Sequence, residues 1–265
     1  MADATDAAGP VRATMPWWVM VTITPLLRWL VLVHAVPSGQ PWRTTCPACP
    51  APLPGRRAAG DVPTTAALLP TGRCGQCGQR VGAAPYLVEL TLLVAVAAVV
   101  VAAAGGRWPA PALIGLIGWA VLAVPLSAID VAVHRLPDRF TLPAAGWVLA
   151  WLGVAALISD ASDAWVRAAL AGLACGGTFA LITLVFGARG FGLGDAKLAL
   201  SATALLGWVG WTAVVAGLLL AFLASGIVAT VLLAARRVSR QDALPFGPFL
   251  VGGVLAALAW VGLSG

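Results

Sequence analysis

The chain has 265 residues, of which 60% are hydrophobic and 10% charged, with a net charge of +6. An average soluble domain carries about 25% charged residues, so composition excludes a soluble globular protein that must cover itself with a water-facing surface. The basic excess reads through loop placement beside a bilayer rather than as a nucleic-acid signal, and no nucleic-acid partner is expected.

Residues 1–12 are polar and slightly acidic and show no signal-peptide pattern. About 20 apolar residues cross a bilayer as a helix. Spans are predicted at 17–36, 86–104, 112–130, 141–158, 166–186, 196–211, 212–235 and 247–263. The fold class is therefore an all-α polytopic membrane protein with about eight transmembrane helices, a single membrane domain over 1–265. Arg28 and His34 interrupt the first span, and the sixth is short, turning at Gly207 to Trp211 between two tryptophans.

Between the first two spans, residues 37–85 form an inserted loop rich in Pro, Gly, Arg and Thr. It carries Cys46-Pro-Ala-Cys49 and Cys74-Gly-Gln-Cys77. Two CxxC pairs at this separation match a zinc ribbon, each pair making a knuckle of one tetrahedral thiolate site. The alternative is two disulfides or four free thiols; a cytoplasmic loop disfavours disulfides, and a loop without an apolar core needs some staple. With four thiolates the site is closed, so a zinc held by Cys46, Cys49, Cys74 and Cys77 is structural. Cys175, among Gly172, Gly176 and Gly177 in the fifth span, reads as a small packing residue.

Two acidic segments follow. Asp130 ends the third predicted span in Ser127-Ala-Ile-Asp130, and Asp195 opens the sixth in Gly192-Leu-Gly194-Asp195-Ala-Lys197. A charge near the bilayer centre costs roughly 3 kcal/mol even on lenient scales, so such a group faces a cavity, a partner or a substrate. The bland alternative makes Asp195 a helix cap after a glycine-rich turn. Asp138 competes with Asp130 as the first carboxylate, but Pro137 breaks the helix before it. Asp138 is expected to cap the next span or to pair with Arg135 or Arg139. Glu89, one turn into the second span, is either paired with an arginine or functional.

Basic residues cluster in alternate loops: Arg43, Arg56, Arg57, Arg73 and Arg80; Arg135 and Arg139; Arg189 and Lys197; Arg236, Arg237 and Arg240. With eight spans all four loops share one side, which the positive-inside rule makes cytoplasmic. Asp130 and Asp195 then meet at one membrane level from separate helices. Paired carboxylates that share a proton can polarise a water and protonate a leaving amine. Gly192 and Gly194 are expected to wall a water-accessible groove beside them.

These pieces, with Pro85-Tyr-Leu-Val-Glu89, Leu136-Pro-Asp-Arg-Phe-Thr-Leu-Pro143 and Pro245-Phe-Gly-Pro-Phe249, resemble the type IV prepilin peptidases, a GxGD family of membrane aspartyl proteases. The resemblance places catalytic aspartates at Asp130 and Asp195, with Gly192, Gly194, Lys197 and Asp138 bordering the substrate. It implies cleavage of the basic leader of prepilin or pseudopilin precursors on the cytoplasmic side of a bacterial inner membrane. In the four-cysteine branch it also implies N-methylation of the new terminus with S-adenosylmethionine. Against that second activity, the polar motif that normally precedes the first CxxC is replaced by Arg28-Trp-Leu-Val-Leu-Val-His34-Ala-Val-Pro37, and the segment 55–63 is degenerate. The competing class is a proton-coupled membrane transporter using Asp130, Asp195 and Glu89, which would place them near the midplane and often in repeated halves. A third is a non-catalytic assembly factor with a docking loop.

Overall fold

Backbone in hydrocarbon has no water to bond, so an apolar run must satisfy its own amides and carbonyls as a helix. The computed structural model describes residues 17–37, 39–53, 65–187, 192–239 and 243–264; the segments 1–12 and 55–63, together with Arg189, Gly190 and Arg240, lie outside the described residues. The α-helices are α1 (Trp17–His34), α2 (Leu87–Ala104), α3 (Ala110–Val133), α4 (Asp138–Ile158), α5 (Ser162–Phe186), α6 (Leu193–Val209), α7 (Trp211–Ala234) and α8 (Gly247–Ser264). Each answers to one predicted span. Six of them, α2 to α5, α7 and α8, are long and apolar enough to cross a membrane.

Of the other two, α1 has 18 residues, as many as α2 and α8. In α1 the described apolar stretch is Thr22–His34. Helix α6 has 17 residues, but it needs no lipid match because it is wrapped in protein. Leu198, Ala199, Ala202, Ala204, Leu205 and Leu206 are all 0% exposed. Glycines on α5 allow this close packing. A Cβ at Gly172 would fall 2.7 Å from the Leu200 carbonyl oxygen, and one at Gly176 would fall 3.1 Å from that of Ala196. The two polar side chains deepest in α6 are bonded, as burial demands. Trp119 Nε1 donates to Ser201 Oγ at 3.0 Å, and Thr203 Oγ1 donates to the carbonyls of Ala199 and Ala171 at 2.7 and 3.1 Å.

Three boundaries moved in ways that matter. Helix α3 runs past Asp130 to Val133, α4 starts at Asp138 rather than 141, and α6 starts at Leu193 rather than 196. Asp130 therefore sits one turn inside a helix, and Asp195 lies in a first turn. At the opposite end, the Arg167 guanidinium donates to the carbonyls of Gly207 and Trp208 at 2.7 and 2.9 Å, closing the orphan carbonyls of α6.

The loop between α1 and α2 docks through one buried cation. Arg28, 3% exposed, donates Nε to Glu89 Oε1 at 2.7 Å and Nη2 to Glu89 Oε2 at 2.6 Å and to the Pro70 carbonyl at 2.8 Å. Glu89 is thus the arginine's partner, and both residues are spent on tying α1, α2 and the loop together. Leu32 adds an apolar anchor among Cys46, Leu53, Cys74 and Val81.

Removing one member of a buried pair strands the other charge and costs about 3–5 kcal/mol, whereas an apolar replacement of both is far milder. Glu89→Ala should therefore lower the thermal midpoint of the purified protein more than Arg28→Met/Glu89→Leu does. Thermal unfolding of the three proteins in one detergent checks this, and a double variant as unstable as the single one would contradict it.

Candidate active site and cysteine cluster

At the end of the bundle where α3 stops, the chain turns twice. His134 takes a left-handed conformation, φ 50°, and donates its amide to the Asp130 carbonyl at 2.8 Å, ending the helix. Leu136 is buried and Pro137 is extended, after which Asp138 opens α4. Gly194 of α6 lies directly against this turn. A Cβ there would fall 2.7 Å from Leu136 Cβ and 3.3 Å from its backbone nitrogen and oxygen. The glycine thus lets the α3–α4 turn and the start of α6 touch backbone to backbone.

That contact places two carboxylates at the same end of the bundle. Asp195 stands at the third position of α6, and its Oδ2 accepts the Gly192 amide at 3.0 Å, capping its own helix. Its Oδ1 is buried and has no hydrogen-bond partner among the described residues. Asp130, 5% exposed, accepts the Gly247 amide on Oδ2 at 2.9 Å. The two are close enough for the charge of Asp130 to act on Asp195. Ser127 Oγ, one turn before Asp130, is likewise buried and has no partner among the described residues. Asp195 Oδ1 and Ser127 Oγ thus leave acceptor positions for water beside two carboxylates that lie within electrostatic range of each other.

Asp138 is engaged elsewhere. It pairs with Lys197 Nζ at 2.6 Å, not with Arg135 or Arg139. Arg135 reaches the Pro37 carbonyl at 3.4 Å, and Arg139 lies 4.2 Å over the Trp42 ring. The Lys197–Asp138 pair bridges the first turns of α6 and α4, flanking the Gly194–Leu136 contact. Gly192 and Leu193 are exposed beside Asp195. On the other side of Ile129, a crevice between α1, α3 and α4 is lined by Leu30, Leu122, Pro125, Leu126, Ile129 and Phe140. It offers no polar side chain.

Sequence reasoning left Gly247 without a role. Its signal was a glycine between Phe246 and Pro248 just ahead of an apolar run. A Cβ there would sit 2.8 Å from Asp130 Oδ2.

The cysteine loop folds as two knuckles. The Cys46 amide donates to the Ala51 carbonyl and the Cys74 amide to that of Gln79, both at 2.9 Å, and Gly78 turns with φ 68°. The four sulfurs lie within 4.8 Å of one another, with Cys46–Cys77 and Cys49–Cys74 separations of 3.8 Å. A tetrahedron with zinc–sulfur bonds of about 2.3 Å has edges of roughly 3.8 Å, so the donor set fits such an ion and could hold it. The sulfurs respond unequally to their neighbours. Amides of Cys77 and Gln76 and the Cys77 and Cys49 thiols pull the Cys74 thiol down to about 6. The Ala51 backbone favours the Cys49 thiolate, yet burial and the Cys77, Cys74 and Cys46 sulfurs push that thiol up to about 12. Ionising all four sulfurs at this separation would need a cation between them. Cys175 is half-buried and packs against the main core.

The chain was compared with known proteins. Residues 114–234 match the type IV leader peptidase family. A prepilin leader peptidase/N-methyltransferase from Burkholderia pseudomallei is 35% identical over 221 residues, covering 82% of this chain and 66% of that protein. Proteins of the same description from Pseudomonas aeruginosa and Aeromonas hydrophila are 32% and 34% identical over 222 residues, covering 82% of this chain and 71% of each. The chain thus spans about two thirds of the length of these relatives. No solved structure matches it.

Proposed function

Because the chain belongs to the type IV leader peptidase family, we propose that it is a membrane aspartic endopeptidase of a bacterial inner membrane. It removes the basic leader of prepilin or pseudopilin precursors at the cytoplasmic face. The observation that carries this reading is the placing of Asp130 and Asp195 within electrostatic range of each other, at the end of the bundle that bears the basic loops, where Gly194 packs on Leu136. Both carboxylates stand within a turn of a helix end, away from the midplane where a proton relay would be built.

In this reading the two carboxylates hold one proton and one water between them. The water attacks the scissile carbonyl as the ionised carboxylate takes its proton, and the protonated carboxylate supplies a proton to the departing amide nitrogen. Asp195 Oδ1, with no partner among the described residues, is the oxygen left to hold the proton or the water. Gly192 leaves a side-chain-poor approach along which an unwound substrate backbone can lie. Gly194 works one layer behind it, by letting Leu136 close on α6. The Lys197–Asp138 pair borders the mouth, and Asp138 is the carboxylate there that a basic leader would meet.

Cys46, Cys49, Cys74 and Cys77 would hold a zinc ion, which would supply a cross-link to a loop with little core of its own. S-adenosylmethionine stands differently. Where the bifunctional branch carries its polar motif, Arg28 is bound to Glu89, Leu32 is 0% exposed, and His34 Nδ1 bonds the Leu30 carbonyl at 2.9 Å. That segment is packed rather than open to a cofactor, so the proposal stops at proteolysis.

Coexpression with a precursor whose basic leader ends in glycine, followed by N-terminal sequencing and mass measurement, tests the reading. Cleavage after the glycine is expected, without the extra methylene that methylation would add. Asp130→Asn and Asp195→Asn should each lose cleavage by about 10⁴-fold while inserting normally, since members of one catalytic unit fail almost as completely alone as together. Asp138→Asn should keep most of the rate. Full activity in Asp130→Asn with loss in Asp138→Asn would reverse the assignment.

Elemental analysis should find about one zinc per chain, absent from Cys46→Ser/Cys74→Ser. That variant should lose yield and thermal stability more than specific activity. Metal-free wild-type protein with two disulfides after reducing purification would overturn the zinc assignment.

A further inference from the structure

Asp195 is capped by its own helix, but Asp130 has no such local support. Its Oδ2 is held by an amide 117 residues away, that of Gly247. Gly247 is the first residue of α8, so its N–H is one of the donors that a helix start leaves unpaired, and it points the positive end of the helix at the carboxylate. The glycine is required by proximity rather than by backbone conformation. A Cβ at this position would fall 2.8 Å from Asp130 Oδ2 and 3.3 Å from its Cγ.

The amide is itself held from both sides. Upstream, the Phe246 ring is 8% exposed and packs against Phe222 and Phe179 at centroid distances of 5.1 and 5.8 Å. Downstream, Gly253 of α8 lies in backbone contact with Gly217 of α7. Aromatic packing and helix packing thus set where this N–H points.

We infer that Gly247 is the positioning residue of Asp130: its amide fixes the rotation of the carboxylate and so decides which oxygen is left for water. This rests on the reading that Asp130 acts in cleavage. Gly247 touches no reacting atom; it works through Asp130.

The test uses full-length protein made by cell-free translation into nanodiscs, with glycolic acid in place of Gly247. This ester deletes the donor and adds no atoms, whereas Gly247→Ala keeps the donor and crowds the carboxylate. Both are assayed on the precursor with a glycine-ended basic leader, beside Asp130→Asn and Gly252→Ala. A Cβ at Gly252 has nothing within 4 Å, so that variant should keep the wild-type rate. The ester should lower kcat about 10- to 100-fold, the range for a hydrogen bond to a charged group, with KM within about twofold. Gly247→Ala should lower kcat at least as much. An inactive Asp130→Asn beside an ester protein with wild-type kcat would overturn the inference, as would an ester that raises KM alone. An active Asp130→Asn would instead overturn the functional reading on which it rests.

Discussion

Two carboxylates placed in an apolar helix bundle are the constraint that the surrounding structure has to meet. Each must keep hydrogen bonds that water would otherwise supply, and Asp195 must do so within range of the charge of Asp130. Asp195 meets the requirement with its own N-cap amide, and Asp130 meets it with the first amide of α8. Both solutions use helix N-termini, where unpaired donors and the positive end of the dipole favour a carboxylate. The starts of α6 and α8 therefore have to converge on the end of α3. Glycines at 194 and 247 remove the atoms that would keep them apart.

That convergence depends on how α6 is held. Protein surrounds it along its length, so it is located by α5 and its glycines rather than by the bilayer. Arg167 closes its far end, and the Lys197–Asp138 pair ties its near end to α4. The cysteine loop is fixed on the same end by Arg28, whose guanidinium serves α1, α2 and the loop together.

Much of this was legible in the sequence because apolar runs, CxxC pairs and Gly-x-Gly-Asp are local signals. Every predicted span has its helix, and the four sulfurs gather as their spacing required. What could not be read locally was pairing at a distance. Glu89 meets Arg28 across 61 residues, and Asp130 meets Gly247 across 117. Asp138 meets Lys197 of a distant helix instead of the arginines beside it. Boundaries near Asp130 and Asp195 were also missed by three residues, because hydropathy does not register a polar helical turn that is sheltered by neighbouring protein. Those turns hold the carboxylates, so the error fell on the site itself.

The central claim is that Asp130 and Asp195 form one unit shaped for the tetrahedral intermediate of peptide hydrolysis. It is tested most directly by the affinity of a precursor peptide carrying a hydroxyethylene group in place of the scissile amide. A site complementary to the transition state should bind this peptide at least about 100-fold more tightly than the amide peptide, and Asp130→Asn or Asp195→Asn should each erase the difference. Equal affinity for the two peptides in the wild-type protein, or an advantage that survives in either variant, would contradict the account.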